Sequence, residues 1–325
     1  MKLSGEIALA SGFIFDYSNM INTDTITPAV IETLESKAKD AADALLLIRE
    51  QGMAKAHLSK DGTPEHVLFT KLPFVKNGNP NTPESIAKLK QFGSYLQQEI
   101  DAVVFLGVGG SYLGNKVLFD IFAGSGWNVG CEKRRHGYPR VYFSGNNLDV
   151  DQYSEVVDEV EYLATHRLGK NEQFRVLLVP ISKSGTTLET LAAFSYFYEQ
   201  CQKSSLLQME VAVVTDLDED ISPLYNLAKE NVWQCFDIKE GIGGRFCIFS
   251  DPGLITAAAI GMDIDAFLCG ARDMENACQS ASLGENPALL NAVLKYAAAE
   301  KGVDIEVFMP YASKMKSVGE WYVQL

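Results

Sequence analysis

The chain has no apolar run of about 18 residues or more, so nothing in it reads as a membrane span. It is short of positive charge: 28 Lys and Arg stand against 42 Asp and Glu, a net charge of −14. A nucleic-acid surface needs a basic patch, and this balance argues against one while leaving room for a locally basic small-molecule pocket. The six cysteines, Cys131, Cys201, Cys235, Cys247, Cys269 and Cys278, form no C-x-x-C pair. That speaks against zinc and fits small core or surface residues in a reducing compartment. The start, Met1-Lys2-Leu3-Ser4-Gly5-Glu6, has one Lys, then an acid, and no long apolar stretch. No signal peptide is read there, and the expected location is cytoplasmic. Histidine is scarce as well. His57 and His66 lack a neighbouring acid or Cys at ligand spacing and read as structural or exposed, and His166 reads as a surface turn. No internal repeat and no low-complexity segment stands out.

What is present is an ordinary globular composition, 47% hydrophobic and 22% charged over 325 residues, enough for two domains or one large one. Residues 1–95 read as mostly helical. Ile31 to Gly52 carries Ile31, Leu34, Ala38, Ala42, Leu45, Leu46 and Leu47 at helical spacing, with Gly52 as C-cap. A Pro- and Asn-rich loop follows, then a second helix over Ser85–Glu99. From there short apolar runs alternate with amphipathic ones. Strands are expected at Ala102–Leu106, Arg140–Ser144, Val176–Ile181, Val211–Thr215 and Trp233–Ile238, with helices between them. That rhythm predicts an α/β fold, a doubly wound parallel sheet, over residues 96–250. Residues 251–325 add helices at Leu254–Gly261, Ile264–Asn276 and Asn286–Lys301, and a strand at Ile305–Met309. A further helix begins near residue 317, and the sequence stops inside it. This segment is expected to be the start of a second, incomplete α/β domain.

Three loops interrupt the pattern. After Val176–Ile181 comes Ser182-Lys183-Ser184-Gly185-Thr186-Thr187, with four hydroxyls in six residues, running into a helix from Leu188. The first N–H groups of a helix have no intrahelical partner, and its dipole favours an anion there. Hydroxyls and one lysine suit that anion being a phosphate monoester. The plainer alternative is a Ser/Thr N-cap on a polar surface loop, which one hydroxyl would satisfy. After Ala102–Leu106 comes Gly107-Val108-Gly109-Gly110-Ser111-Tyr112-Leu113-Gly114. Tyr112 stands where the dinucleotide fingerprint needs glycine, and no Gly-Lys-Ser/Thr closes a P-loop. The glycines suggest close approach of backbone to a ligand, with Ser111 at a helix N-terminus; a tight strand–helix crossover is the alternative. The third loop is Gly241-Ile242-Gly243-Gly244-Arg245-Phe246. Its arginine can neutralise a phosphate or a developing oxyanion. It can equally be a solvated side chain on a Gly-rich surface turn, and the residues alone do not choose.

Taken together, Gly107–Gly114, Ser182 to Thr190, Gly243-Gly244-Arg245-Phe246, Met309-Pro310-Tyr311 and Glu320-Trp321-Tyr322-Val323-Gln324-Leu325 resemble glucose-6-phosphate isomerase of the bacterial type, from about residue 40 onward. The resemblance implies a sugar-isomerase (SIS) type of α/β fold. It also implies interconversion of glucose 6-phosphate and fructose 6-phosphate, a step of glycolysis and gluconeogenesis, through a cis-enediol. Ser182, Lys183, Ser184 and Thr187 would cradle the phosphate, and Gly110 and Ser111 would line the sugar side. Arg245, carried by Gly244, would stabilise the enediolate, and Gln324 would sit beside the substrate. The partner would be a small sugar phosphate, with no metal, no cofactor, no nucleic acid and no membrane, and the full-length assembly a homodimer. Two departures stand out. Cys247 replaces the serine usual after Gly-Arg-Phe. The family's glutamate base, three residues after Gln-Leu, would fall beyond Leu325, and its ring-opening histidine and a substrate-contacting lysine further on. The 325 residues alone are therefore expected to have negligible isomerase activity. A non-catalytic sugar-phosphate sensor is the alternative of a different class, and a nucleotide-dependent dehydrogenase the weaker third.

Overall fold

A computed structural model describes residues 5–22, 25–58, 62–170 and 172–324. In chain order, strands β1 (Glu6–Ala8) and β2 (Ile14–Asp16) precede helix α1 (Pro28–Gln51), then β3 (Met53–Leu58), β4 (Pro64–His66) and α2 (Pro83–Glu99). The alternating part runs β5 (Ala102–Leu106), α3 (Gly110–Phe122), β6 (Arg140–Ser144), α4 (Val150–Thr165), β7 (Phe174–Pro180), α5 (Leu188–Lys203), β8 (Leu207–Thr215), α6 (Pro223–Glu230) and β9 (Gln234–Asp237). Helices α7 (Asp251–Ala259), α8 (Ile264–Ala277), α9 (Pro287–Ala299) and α10 (Lys316–Gln324) complete the described chain. No helix among the described residues is long and apolar enough to cross a membrane.

Contacts divide the chain into two compact units, Met1–Phe74 with Asp265–Phe308, and Val75–Ile264 with Met309–Leu325. The grouping differs from the expected segments 1–95, 96–250 and 251–325. In the first unit α1 starts where Thr27 caps the Val30 N–H with Pro28 at the first helical position, and stops at Gly52, whose φ of 69° is the left-handed conformation. It buries Ile31, Ala38 and Ala42 against Leu290, Val293, Leu294 and Ala297 of α9. Two antiparallel hairpins, β1–β2 and β3–β4, stand where the sequence reads as mostly helical. Their strands are too short or too poor in β-branched residues to announce themselves, and cross-strand pairing rather than propensity makes them. The strand expected at Ile305–Met309 does not form. The pattern alternates correctly, but no neighbour among the described residues pairs with it, and Ile305, Val307 and Met309 stay 82%, 71% and 64% exposed. A strand without a ladder partner has nowhere to place its backbone groups except water.

The second unit holds the five-stranded parallel sheet, in the order β6-β5-β7-β8-β9. Strands β5 and β7 were readable because they are buried on both faces, and parallel strands in that position are nearly continuous apolar runs. On one face α4, α5 and α6 bury Tyr153, Val160, Leu163, Ala193, Phe194, Phe197, Leu224 and Ala228 against alternate residues of β5, β7 and β8. On the other, Phe105 and Phe119 pack around Phe143 at 5.6 and 5.4 Å, Phe92 of α2 meets Phe236 at 5.0 Å, and Gly93 lets α2 approach Ala258 of α7 closely. The helix after β5 therefore lies on one face and the helix after β7, the neighbouring strand, on the opposite face. This reversal opens a crevice beyond the carboxyl ends of β5 and β7, the place where ligands sit in doubly wound sheets.

Asp251, at the start of α7, is buried and accepts the Asp237 N–H at 3.1 Å. Burial, reinforced by the Asp237 charge, pushes its pKa from 3.8 up to about 6. The fold thus binds this proton more tightly than the unfolded chain does, and stability falls as pH rises from about 4 through about 6, then levels off. Asp251→Asn keeps the acceptor oxygen without the charge. It should stabilise the protein by about 1–3 kcal/mol at pH 8, a gain that vanishes near pH 4, as thermal melts across pH will show.

Candidate active site

The crevice is set by the ladder between β5 and β7. Leu106 lies opposite Pro180, and the Ile181 N–H donates to the Leu106 carbonyl at 2.8 Å. The glycine loop after β5 and the hydroxyl loop after β7 therefore leave the sheet side by side and at the same height.

The hydroxyl loop is held from beneath. Ser182 is buried; its N–H donates to the Val214 carbonyl at 3.0 Å, and its carbonyl accepts the Thr215 hydroxyl at 2.7 Å. Thr215, fully buried, shares a second hydrogen bond of 2.6 Å with Ser222, the N-cap of α6. Gly185 turns the loop at φ 64°, and a Cβ there would lie 2.2 Å from Ser222 Oγ, so only glycine fits. The hydroxyls pair: Ser182 Oγ with Thr187 Oγ1 and Ser184 Oγ with Thr186 Oγ1, both at 2.8 Å. Thr187 occupies the N-cap position of α5, yet its side chain makes no capping bond. The threonine faces Ser182, and its side chain leaves the first turn of α5 uncapped. Lys183 and Ser184 are exposed, and Thr187 is half-buried.

The other two loops touch each other. A Cβ on Gly110 would fall 2.5 Å from the backbone of Gly244, so the start of α3 and the arginine loop are in backbone contact that any side chain at 110 would break. Gly109 sits at φ 57° with ψ −118° and caps α3 without a side chain. Ser111, half-buried in the first turn, holds its N–H to Val108 and its carbonyl to Asn115. Tyr112, which breaks the dinucleotide pattern, sets its ring edge-on to Phe143 at 6.2 Å. Gly244 opens a 3₁₀ turn running to Phe249, and the Arg245 carbonyl accepts the Trp321 indole N–H of α10 at 2.9 Å. Arg245 is half-buried, and Gly243 and Gly244 before it are exposed. Gln324, on the same α10, places Nε2 3.4 Å from the Cβ position of Gly109. Its Oε1 is buried with no hydrogen-bond partner.

Electrostatics ties the loops together. Burial pushes the Cys247 thiol up to about 11, and the Ser250 hydroxyl and the charge of Lys183 act against that shift. Lys183 of the hydroxyl loop is thus close enough to the arginine loop for its charge to be felt there. Cys247 stays a protonated, buried packing residue, with Sγ 3.7 Å from the Gly243 carbonyl. Among the described residues, no group of His, Cys, Asp and Glu is arranged to hold a metal ion. Reasoning from sequence missed the buttressing Thr215, a polar residue ending a buried strand. It also missed Asn146, whose Oδ1 is buried without a partner in the loop after β6. Gly145 beside it approaches the Gly107 N–H closely.

The sheet order, the switch point and the hydroxyl loop at a helix N-terminus define a doubly wound α/β protein with a polar crevice at its switch point. The family model for phosphoglucose isomerase matches residues 83–325, and the chain belongs to that family. It is similar to the glucose-6-phosphate isomerase of Clostridioides difficile strain 630, 32% identical over 243 residues that cover 74% of this chain and 51% of the relative. It is also similar to that of Methanocaldococcus jannaschii, 31% identical over 242 residues covering 74% and 52%. The chain thus spans about half the length of the curated relatives it matches. Among solved structures, a hypothetical protein from Thermus thermophilus shares the fold, with TM-score 0.65 and 24% identity over 91% of this chain and 60% of that one.

Gly110→Ala should force the arginine loop away from α3. The expected result is a loss of about 1–3 kcal/mol of stability in denaturant unfolding, the usual cost of overpacking. Ala at Gly270 of α8, where a Cβ meets nothing, serves as the control.

Proposed function

We propose that the crevice binds glucose 6-phosphate and fructose 6-phosphate, and that the whole protein interconverts them. The observation that carries this is the convergence, at two neighbouring strand ends, of a paired-hydroxyl loop before an uncapped helix and an arginine held against a glycine turn. Ser182, Ser184 and Thr187 would turn their hydroxyls from one another to the phosphate oxygens, joined by the N–H groups opening α5, with Lys183 adding charge. The sugar chain would then run toward Gly110 and Ser111 at the start of α3. Moving a proton between C1 and C2 creates an enediolate, and Arg245, carried in by Gly244, is the group positioned to neutralise it. Gln324 offers a buried amide oxygen without a partner, suited to a substrate hydroxyl.

The proton itself needs a carboxylate base. The resemblance assigns it to a glutamate three residues past Gln324-Leu325, outside these residues, with the ring-opening histidine and a lysine beyond. That the 96–250 segment is the sugar-phosphate domain, that 251–325 begins a second one, and that the full-length protein is a homodimer belong to the same proposal.

The test is calorimetry with fructose 6-phosphate alongside a coupled isomerase assay. The 325-residue chain should bind the sugar phosphate and turn it over at least about 10²–10⁴-fold more slowly than an enzyme with its base, the typical cost of losing general-base catalysis. Ser182→Ala and Thr187→Ala should each weaken binding by about tenfold or more, the size of a hydrogen bond to a charged group. Unchanged affinity refutes the cradle, and ordinary turnover by this chain refutes the assignment of the base. Binding without turnover in a chain as long as its relatives would make the module a sugar-phosphate sensor.

A further inference from the structure

Among the described residues, the sheet has an unpaired edge at the amino end of β8, the end opposite the three loops. β9 pairs with β8 only from Ala212 onward, opposite Gln234, whereas β8 is already bonded to β7 from Leu207. Among the described residues, the first half of β8 has a strand neighbour on one side alone. The direction of its free groups follows from the bonds at its other end. The Val214 carbonyl accepts from Ser182 on the β7 side, and the Thr215 carbonyl accepts from Ile238 on the β9 side. Alternate residues of a strand point the same way. The N–H and C=O of Met209 and the N–H of Val211 therefore face the open side, a row of donor, acceptor and donor.

A cleft of about 510 Å³ lies along this row, lined by residues from both faces of the sheet. Tyr198 and Trp233, rings 6.2 Å apart, flank it with Met209 on the face covered by α4 to α6. Phe92 and Tyr95 of α2 flank it with Glu210 on the other. Glu210 accepts the Tyr95 hydroxyl and is paired with Arg175, which also reaches Glu99, so two carboxylates share this one guanidinium. The notch exists because the chain turns away at Val232. Its N–H donates to Lys229, and the Trp233 N–H reaches back to Ala228, ending α6 in a turn that normally holds glycine. Val232 is instead a β-branched residue at φ 58°, 90% exposed. Strain of this sort persists where the surroundings over-determine it, and it clusters at sites of recognition.

Sheet edges are normally blunted by lysine, proline or a covering element. This one presents backbone donors and acceptors between two aromatic walls. A flat ring would use one wall only; an added strand, whose side chains alternate between faces, uses both. We propose that this edge binds an extended peptide segment of a partner protein by strand addition. An apolar side chain enters between Tyr198, Trp233 and Met209, and a basic one faces Glu210 and Tyr95.

The probe is the peptide acetyl-Val-Lys-Val-Lys-Val-amide, titrated into the 325-residue chain by calorimetry, with two partners N-methylated at complementary alternate nitrogens. Saturable binding is expected, with one N-methylated peptide losing affinity tenfold or more and the other keeping it, because only one edge of the peptide bonds to the sheet. Loss with both or with neither, or no binding of the parent peptide, overturns strand addition. Met209→Pro, which removes an N–H pointing away from β7, should reproduce the tenfold loss with an unchanged circular dichroism spectrum; if that variant does not fold, the peptide pair decides. A dimer in sedimentation that Met209→Pro dissociates would assign the edge to a second copy of this chain and overturn the partner-peptide reading.

Discussion

The parallel ladder between β5 and β7 fixes where everything else in the candidate site goes. Parallel strands of matched register end together, and here the Ile181 N–H and the Leu106 carbonyl close the last rung. Because the chain crosses to opposite faces after these two strands, the loops that follow must diverge, and the space between them is a crevice by construction. The apolar runs that make the strands are thus also what places a serine-rich turn beside a glycine-rich one. A slip of one residue in this ladder would bury the hydroxyl loop's backbone and reverse which face each strand residue occupies.

The second constraint is steric. Three elements distant in sequence, the start of α3, the Gly243–Phe246 turn and α10, meet at a point where a β-carbon on Gly110 would collide with Gly244 and one on Gly109 would press on Gln324. Backbone packed on backbone is stiff, and here it carries Arg245 on one side and Gln324 on the other. Trp321 reinforces the joint through the Arg245 carbonyl rather than through the guanidinium, so this bond does not use the side chain's own donors. The neighbouring Cys247 is kept protonated by burial and packs there without adding a charge.

Much of this was legible in the sequence, for identifiable reasons. Buried parallel strands such as Ala102–Leu106 and Val176–Ile181 are unbroken apolar runs, and α1 declares both ends, with Thr27-Pro28 at one and Gly52 at the other. The loops that gather in the crevice were visible as unusual densities of hydroxyl and glycine. What stayed hidden depends on partners far along the chain. Met53–Leu58 carries no β-branched residue and is a strand only because Pro64–His66 lies beside it. Ile305–Met309 is the converse, a strand pattern with no strand to join among the described residues. No local signal says that Gly110 will meet Gly244, that Thr215 will support Ser182 from below, or that Val232 will adopt a glycine conformation and leave β8 half uncovered.

The pairing of hydroxyls in the Ser182–Thr187 loop has a further consequence. A bond between two hydroxyls uses one of their two protons, so each pair, at 2.8 Å, leaves one O–H that the pair itself does not use, polarised by the bond its oxygen accepts. The loop can thus offer a donor from each pair without breaking either bond, and a group that accepts from both pairs at once gains the most from it.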